Sequence, residues 1–177
     1  MSDPIRVLDP TGRVGAPAAR LAPAPDVLTG KRIAVLDNLK PHAGYTMGAL
    51  AHALAARTGA TVSLEIAKVS SALPAEPEIV ERLLAEADLV VTGSADCGSC
   101  TSWSAHDTVE LERLGLPTLL LSTEGFTEIA HQICALYGLP QARIVTVRGP
   151  LGGSTDAELD AMVADVLEHA LTLATTN

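Results

Sequence analysis

Two cysteines with C-x-x-C spacing, Cys97 and Cys100, lie in the stretch of this sequence that is richest in reactive side chains. The same stretch contains Asp96, His106 and the only tryptophan, Trp103. Small residues fill the gaps between them, so the backbone can turn sharply and the polar side chains stay accessible. A loop with a purely structural role rarely needs so many reactive groups. We therefore expect the functional centre of the protein here.

The position of the two cysteines favours thiolate chemistry. They follow a buried strand pattern at 89–92 and precede a helical pattern, so they lie near a helix start. Free N–H groups and the helix dipole favour an anion there, and thiols in C-x-x-C motifs have lowered pKa values. We predict that Cys97 attacks an electrophile and that Cys100 resolves or supports the product. His106 can act as a general acid or base or pair with the thiolate, and Asp96 can carry or orient a proton.

Other interpretations of the motif stay open. Cys97, Cys100 and His106 could bind zinc, but a structural zinc site needs four ligands and the sequence has no second C-x-x-C. The two cysteines could also be inert residues in a tight turn. A thioredoxin-like fold is disfavoured because its C-x-x-C follows the first strand of a different βαβ arrangement. We expect no metal.

A nucleotide cofactor is not indicated either. The glycine-rich segment at 149–153 precedes a helix, yet it lacks the lysine of a P-loop and the spacing of a dinucleotide fingerprint. We therefore expect the reaction to use no cofactor.

Composition excludes several classes of protein. The net charge of -9 and the lack of a Lys/Arg cluster argue against nucleic-acid binding. No run of about 18 apolar residues predicts a membrane span, and the first residues do not resemble a secretory signal. Three cysteines in 177 residues do not make a disulfide scaffold. We expect a cytoplasmic protein that acts on a small molecule, with a thiol as a possible electron donor.

Five strand patterns alternate with five helix patterns after residue 30. The strands are predicted at 32–36, 61–66, 89–92, 117–122 and 143–147, and the helices at about 43–58, 78–87, 104–114, 127–137 and 157–173. This alternation predicts an α/β fold, a three-layer sandwich around a five-stranded, mostly parallel sheet. The size suits the flavodoxin-like strand order 2-1-3-4-5.

The first 30 residues differ from the rest. They are rich in alanine and proline, with a possible short strand at 5–8, and we expect an extended N-terminal arm beside a single α/β domain at 31–177. The arm either lies along the domain or reaches onto a second subunit. Together with the low aromatic content of 2%, it favours a homo-oligomer.

The strand order also predicts where a substrate binds. In open α/β sheets, ligands bind beyond the carboxyl ends of the strands where the order reverses, here between strands 1 and 3. The cysteine loop leaves strand 3, and a polar loop with a lysine for an anionic substrate leaves strand 1. The substrate-binding candidates on these and neighbouring loops are Asp37, Asn38, Lys40, His42, Ser99, Thr101, Ser102, Trp103, Thr123, Glu124, Arg148, Gly152 and Gly153.

The motif Cys97-Gly98-Ser99-Cys100 resembles that of the UGSC family, named for selenocysteine-Gly-Ser-Cys, in which many members have cysteine at the first position. The resemblance extends over most of the chain. It also includes Leu8-Asp9-Pro10-Thr11, Leu36-Asp37-Asn38-Leu39-Lys40-Pro41, Leu111-Glu112-Arg113-Leu114-Gly115-Leu116-Pro117-Thr118 and Pro150-Leu151-Gly152-Gly153.

The resemblance implies unequal roles for the two cysteines. Cys97 occupies the selenocysteine position and would be the nucleophile, with Cys100 as the neighbouring thiol. The family is distantly similar to the B-type subunits of glycine and proline reductases, in which a selenol attacks the substrate and cleaves a C–N bond reductively. The chain departs from the family at Cys97, which is not selenocysteine, and at His42-Ala43-Gly44, where we expect an asparagine-containing stretch.

These observations predict an enzyme whose Cys97 thiolate attacks a small anionic substrate with reductive or eliminative bond cleavage. Two alternatives remain: a non-redox lyase or transferase that forms a covalent Cys97 adduct, and an accessory protein that binds a metal or another ligand.

Overall fold

The apolar runs at the predicted strand positions form one parallel five-stranded sheet in a computed structural model that describes residues 18–175. Its strands are β1 (Arg32–Asp37), β2 (Thr61–Ala67), β3 (Leu89–Ala95), β4 (Thr118–Thr123) and β5 (Arg143–Val147). Their spatial order is β2-β1-β3-β4-β5, which confirms the predicted flavodoxin-like order. The register pairs Asp37 of β1 with Gly93 of β3, so both strands end at the same edge.

Helices cover both faces of the sheet. They are α1 (Ala43–Thr58), α2 (Pro77–Glu86), α3 (Gly98–Arg113), α4 (Glu124–Leu136) and α5 (Asp156–Thr175). Successive strand residues point to opposite faces, so Ile33 and Val35 pack in the core under α1 and α5, whereas Ala34 and Leu36 pack in a core with α2 and α3. This double coverage explains why the central strands are continuous apolar runs.

Two predicted helix starts are wrong. The structure begins α3 at Gly98 instead of residue 104, and α4 at Glu124 instead of residue 127. Both first turns contain glycine and hydroxyl-bearing residues, whose low helix propensity pointed to loops. In α3 the hydroxyls of Thr101 and Ser102 donate to the carbonyls four residues earlier, which integrates them into the helix.

Residues 18–30 run along the domain without regular secondary structure before β1. The backbone of Ala22 donates its N–H to Glu112 and accepts a hydrogen bond from Arg143, and these two side chains form a buried ion pair. The Ala19 N–H donates to the carbonyl of Gly138. This part of the predicted arm thus packs on its own chain, and the strand predicted at 5–8 lies outside the described residues.

A second buried ion pair anchors α3. Lys68, just after β2, lies 2.5 Å from Asp107, and their side chains are 1% and 3% exposed. The other Asp107 oxygen accepts the N–H of Ala75, and Lys68 also donates to the carbonyl of Leu73. The connection from β2 to α2 is therefore tied to the middle of the helix that begins at the cysteines.

Among residues 18–175, none of the helices has the length and apolar character needed to cross a membrane.

Candidate functional site

The cysteine motif forms the junction between β3 and α3. Cys97 is the N-cap residue of α3, with an extended backbone (φ -157°, ψ 170°), and its Sγ accepts the N–H of Cys100 at 3.4 Å. The hydroxyl of Thr101 donates to the carbonyl of Cys97 at 2.5 Å. Cys97 therefore accepts hydrogen bonds from the first turn of α3, and its sulfur lies where the helix presents N–H groups that have no partner within the helix.

Cys97 and Cys100 form a disulfide, with their Cα atoms 5.4 Å apart. Cys100 is 1% exposed, whereas Cys97 is only partly buried. The hydroxyl of Ser99, on the exposed side of the junction, lies 3.8 Å from the Cys97 sulfur. The two cysteines thus differ in exposure to solvent although they belong to one motif.

Asp96 precedes the motif and is half-buried. Burial raises the pKa of this carboxyl group, and the positive charge of Lys40 and the Ser94 hydroxyl offset only part of that effect. Its Oδ1 atom is buried and has no hydrogen-bond partner within residues 18–175. A proton on this carboxyl group is therefore favoured over a wider pH range than on an exposed aspartate.

Asp96, Cys97 and Cys100 are also the residues that could hold a metal ion. One carboxylate oxygen and the two sulfurs all lie within 4.8 Å of one another. His106, which the zinc alternative required, does not belong to this group in the described part of the chain.

Asn38 joins the two loops at the predicted crevice. Its side chain, 1% exposed, donates to the carbonyl of Ser94 at 2.9 Å and to the hydroxyl of Ser104 at 3.2 Å, and its oxygen accepts the N–H of Lys40 at 3.3 Å. The structure therefore brings the loop after β1 against the cysteine junction, as the strand order predicted. The polar atoms of the Asn38 side chain are thus bonded within the protein, where they hold the two loops together.

The remaining residues of the β1–α1 loop lie beside this connection. Asp37 is half-buried in a cleft of about 160 Å³ that it shares with Gly44 and Glu65, and burial raises the pKa of its carboxyl group. Leu39 and His42 both have left-handed backbones, with φ of 62° and 61°. The His42 carbonyl accepts the N–H and hydroxyl of Thr46 in the first turn of α1.

His106 lies away from the Cys97 sulfur. His106 follows Cys97 by nine positions, which is a rise of about 13.5 Å along the helix axis. The His106 ring makes edge contacts with Trp103 and Tyr137, each with centroids 5.5 Å apart. Its Nδ1 is buried without a hydrogen-bond partner among the described residues, at 3.5 Å from an oxygen of Asp107. The structure thus places the His106 ring against Trp103 and Tyr137, and not at the sulfur of Cys97.

The candidates on the later loops lie along the same sheet edge. Thr123, the N-cap residue of α4, is buried and donates to the carbonyl of Ala95, and Glu124 follows it in an exposed position. Arg148 lies 3.8 Å from Asp165, with its side chain 69% exposed.

The rest of the β5–α5 loop is open to solvent. A Cβ at Gly152 or Gly153 would meet nothing within 4 Å. Arg148 lines a cleft of about 380 Å³ with Ser154 and Glu158, separate from the cysteine motif.

Sequence reasoning missed two serines that hold Asn38 at the cysteine junction. Ser94 and Ser104 accept the two hydrogen bonds of Asn38, one through its carbonyl and the other through its hydroxyl. Ser104 follows Cys97 by seven residues, so the helical repeat places both on one face of α3. That spacing is the signal that could have identified it.

Comparison with known proteins identifies the family of this chain. No curated protein matches it. A solved structure that is similar, a mutant flavo di-iron protein from Thermotoga maritima, is 10% identical with a TM-score of 0.44, and the match covers 82% of this chain and 36% of that one. The chain thus spans about a third of the length of that structure. The model of the UGSC family matches residues 6–176, and this protein, with its cysteine pair at the start of α3, therefore belongs to the UGSC family.

Proposed function

We propose that this protein is an enzyme in which the Cys97 thiolate attacks a small anionic substrate, with reductive or eliminative cleavage of a bond. The main observation in support is the position of Cys97. The residue is partly exposed, and its sulfur accepts a helix N–H at 3.4 Å and forms a disulfide with a second, buried cysteine.

The two thiols have different roles in this proposal. Once the disulfide is reduced, the N–H of Cys100 and the dipole of α3 favour negative charge on the Cys97 sulfur. Cys100, at 1% exposure, cannot be approached by a substrate without movement of the first turn of the helix. Cys97 is therefore the attacking atom, and Cys100 can reach only what is already bound to Cys97.

The reductive form of the reaction balances in two steps. The Cys97 thiolate forms a bond to atom X of a substrate R–X, and the R–X electron pair leaves on R, which takes a proton. The Cys100 thiolate then attacks the Cys97 sulfur, forms the disulfide and releases X with the S–X electron pair and a proton. The substrate gains two electrons, two thiols become one disulfide, and an external thiol donor restores the reduced pair.

Asp96 and Lys40 supply the polar part of the site. The raised pKa of Asp96 leaves its carboxyl group able to donate a proton to the leaving group R near Cys97. Lys40, whose positive charge acts on Asp96, offers an attractive interaction to an anionic substrate at the same edge of the sheet. His106 has no role in this mechanism because of its distance along α3.

The proposal is tested with single-cysteine variants on small carboxylic acids that carry a cleavable substituent next to the carboxylate. We expect C97S to lose turnover completely. C100S should stop after one turnover with the substrate fragment attached to Cys97, whereas the wild type should end two hydrogens lighter, as the disulfide. Intact-protein mass spectrometry distinguishes these products.

Cys134 provides the matched control. It is 0% exposed in α4, and burial raises the pKa of its thiol to about 12, so C134S should change neither turnover nor the adduct masses. Turnover by C97S would contradict the proposal. Repeated turnover by C100S would instead support the non-redox lyase or transferase that uses a covalent Cys97 adduct alone.

A further inference from the structure

We propose that the reduced site binds a Zn²⁺ ion through the carboxylate of Asp96 and the thiolates of Cys97 and Cys100, with a fourth position open to water or an anion. The three ligand atoms already lie within 4.8 Å of one another. Ligand atoms on a tetrahedral zinc ion are roughly 3.5 Å apart, since zinc bonds to oxygen and sulfur are about 2.0–2.3 Å long. Small side-chain rotations after reduction are enough to form the site.

Unsatisfied polar atoms give independent support for a ligand at this position. The Oδ1 atom of Asp96 is buried without a hydrogen-bond partner in the described part of the chain, and so is the hydroxyl of Ser94, a residue that is 0% exposed. An unpaired buried oxygen carries a desolvation cost that a bound cation removes. The Ser94 hydroxyl lies near the Asp96 carboxyl group without completing a hydrogen bond of normal geometry. It is thus available to orient that carboxylate on a metal.

The donor set suits zinc better than magnesium or calcium, which prefer oxygen ligands alone. Lys40 is the positive group that acts on Asp96 in the metal-free protein, and a cation would replace it as the charge partner of the carboxylate. Three protein ligands and one open position resemble the arrangement of catalytic and exchangeable zinc sites, whereas structural sites have four protein ligands.

Zinc binding and the disulfide exclude each other. A dithiol reductant supplies two electrons and two protons to open the Cys97–Cys100 bond, and Zn²⁺ then displaces the two thiol protons as it binds. A zinc-bound Cys97 thiolate is withheld from other electrophiles. The metal therefore occupies the protein only in its reduced state and blocks the reactive sulfur until a chelator or a competing ligand removes it.

The experiment is a calorimetric titration of ZnCl₂ into anaerobic protein reduced with a phosphine and freed of metal with a chelator. We expect one Zn²⁺ per chain for the reduced wild type and none for the disulfide form. The affinity of D96N should fall by more than the roughly tenfold to hundredfold that loss of an outer-shell partner costs, because a direct ligand is lost. Co²⁺ should give thiolate charge-transfer bands with the reduced wild type, and Zn²⁺ should protect Cys97 from iodoacetamide until the chelator is added.

Two variants serve as controls. D37N removes a half-buried carboxylate at the end of the neighbouring strand β1 and should leave zinc affinity unchanged. H106A removes the histidine of the alternative ligand set and should also have no effect. The proposal is overturned if the reduced wild type binds no zinc, if C97S retains stoichiometric binding, or if D96N binds as tightly as D37N. No substrate is needed, so the result is independent of the proposed reaction.

Discussion

The buried amide of Asn38 should control both the stability of the protein and the reactivity of Cys97. N38A removes two hydrogen bonds to buried acceptors, the carbonyl of Ser94 and the hydroxyl of Ser104, and a longer one from the N–H of Lys40. A hydrogen bond contributes about 0.5–1.5 kcal/mol, and a buried acceptor left without its partner costs about 1–3 kcal/mol. We expect N38A to lower the free energy of unfolding by about 2–4 kcal/mol.

The assay for N38A is urea unfolding of the oxidised and reduced forms, with S104A and the double variant completing a cycle. The coupling energy between the two residues should be about 0.5–1.5 kcal/mol, the value of their shared hydrogen bond. Q132A, which removes an exposed hydrogen bond within α4, is the matched control and should change stability by less than about 0.5 kcal/mol.

The effect on Cys97 is measured as the rate of alkylation by iodoacetamide in the reduced protein at neutral pH. Because Asn38 holds the carbonyl of Ser94 three residues before Cys97, its loss should loosen the helix cap and lower the fraction of thiolate, so alkylation slows. Asn38 does not have this role if N38A unfolds at the wild-type urea concentration, or if the alkylation rate of N38A equals that of Q132A.

Three further predictions concern the effect of single substitutions on stability. G93A should destabilise the fold strongly in urea unfolding, since φ is +143° at Gly93 and a Cβ there would lie 2.7 Å from a carbonyl oxygen of β4. G98A is the control and should be tolerated, because a Cβ at Gly98 would meet nothing within 4 Å. Burial raises the pKa of Asp37, so the stability due to its protonated form is present below the ordinary carboxyl pKa and lost as pH rises through the folded-state pKa. In thermal melts, D37N should therefore gain stability relative to the wild type as the pH is raised from acid to neutral. A stability difference that does not change with pH would contradict this. K68M should lose about 3–5 kcal/mol of unfolding free energy, because Asp107 remains buried without its ion-pair partner. The double variant K68M/D107L should recover part of that loss. Additive effects of the two substitutions on the unfolding free energy would show that the pair does not act as a unit.

Periodicity predicted the fold well because each element carries its own signal. The predicted bounds of α1 and β5 coincide with those observed. The alternation of strands and helices predicted the parallel sheet, and the strand order suggested by the size of the domain is confirmed. The same order placed the loop after β1 against the cysteine motif, which the hydrogen bonds of Asn38 confirm. The start of α3 was wrong because a helix cap depends on hydrogen bonds that residue propensity does not report.

The long-range polar contacts could not be predicted from the sequence. The buried pairs Lys68–Asp107 and Arg143–Glu112 join residues that are 39 and 31 positions apart, and each could have been an ordinary surface charge in the sequence. A charged residue becomes a buried partner only when the packing of two elements excludes water around both. That condition belongs to the topology and not to either segment.

The sequence by itself determined the parallel α/β fold and the position of the Cys97–Cys100 motif between a strand and a helix, since both depend on local residue patterns. The unequal roles of the two cysteines were expected from the sequence, but only the tertiary structure decided their unequal burial. The first turn of α3 turns Cys100 into the core and leaves Cys97 partly exposed at the cap, and the same junction brings an unpaired Asp96 oxygen beside both sulfurs. Burial and the direction of a helix axis are properties of packed elements, and they distinguish two residues of the same type.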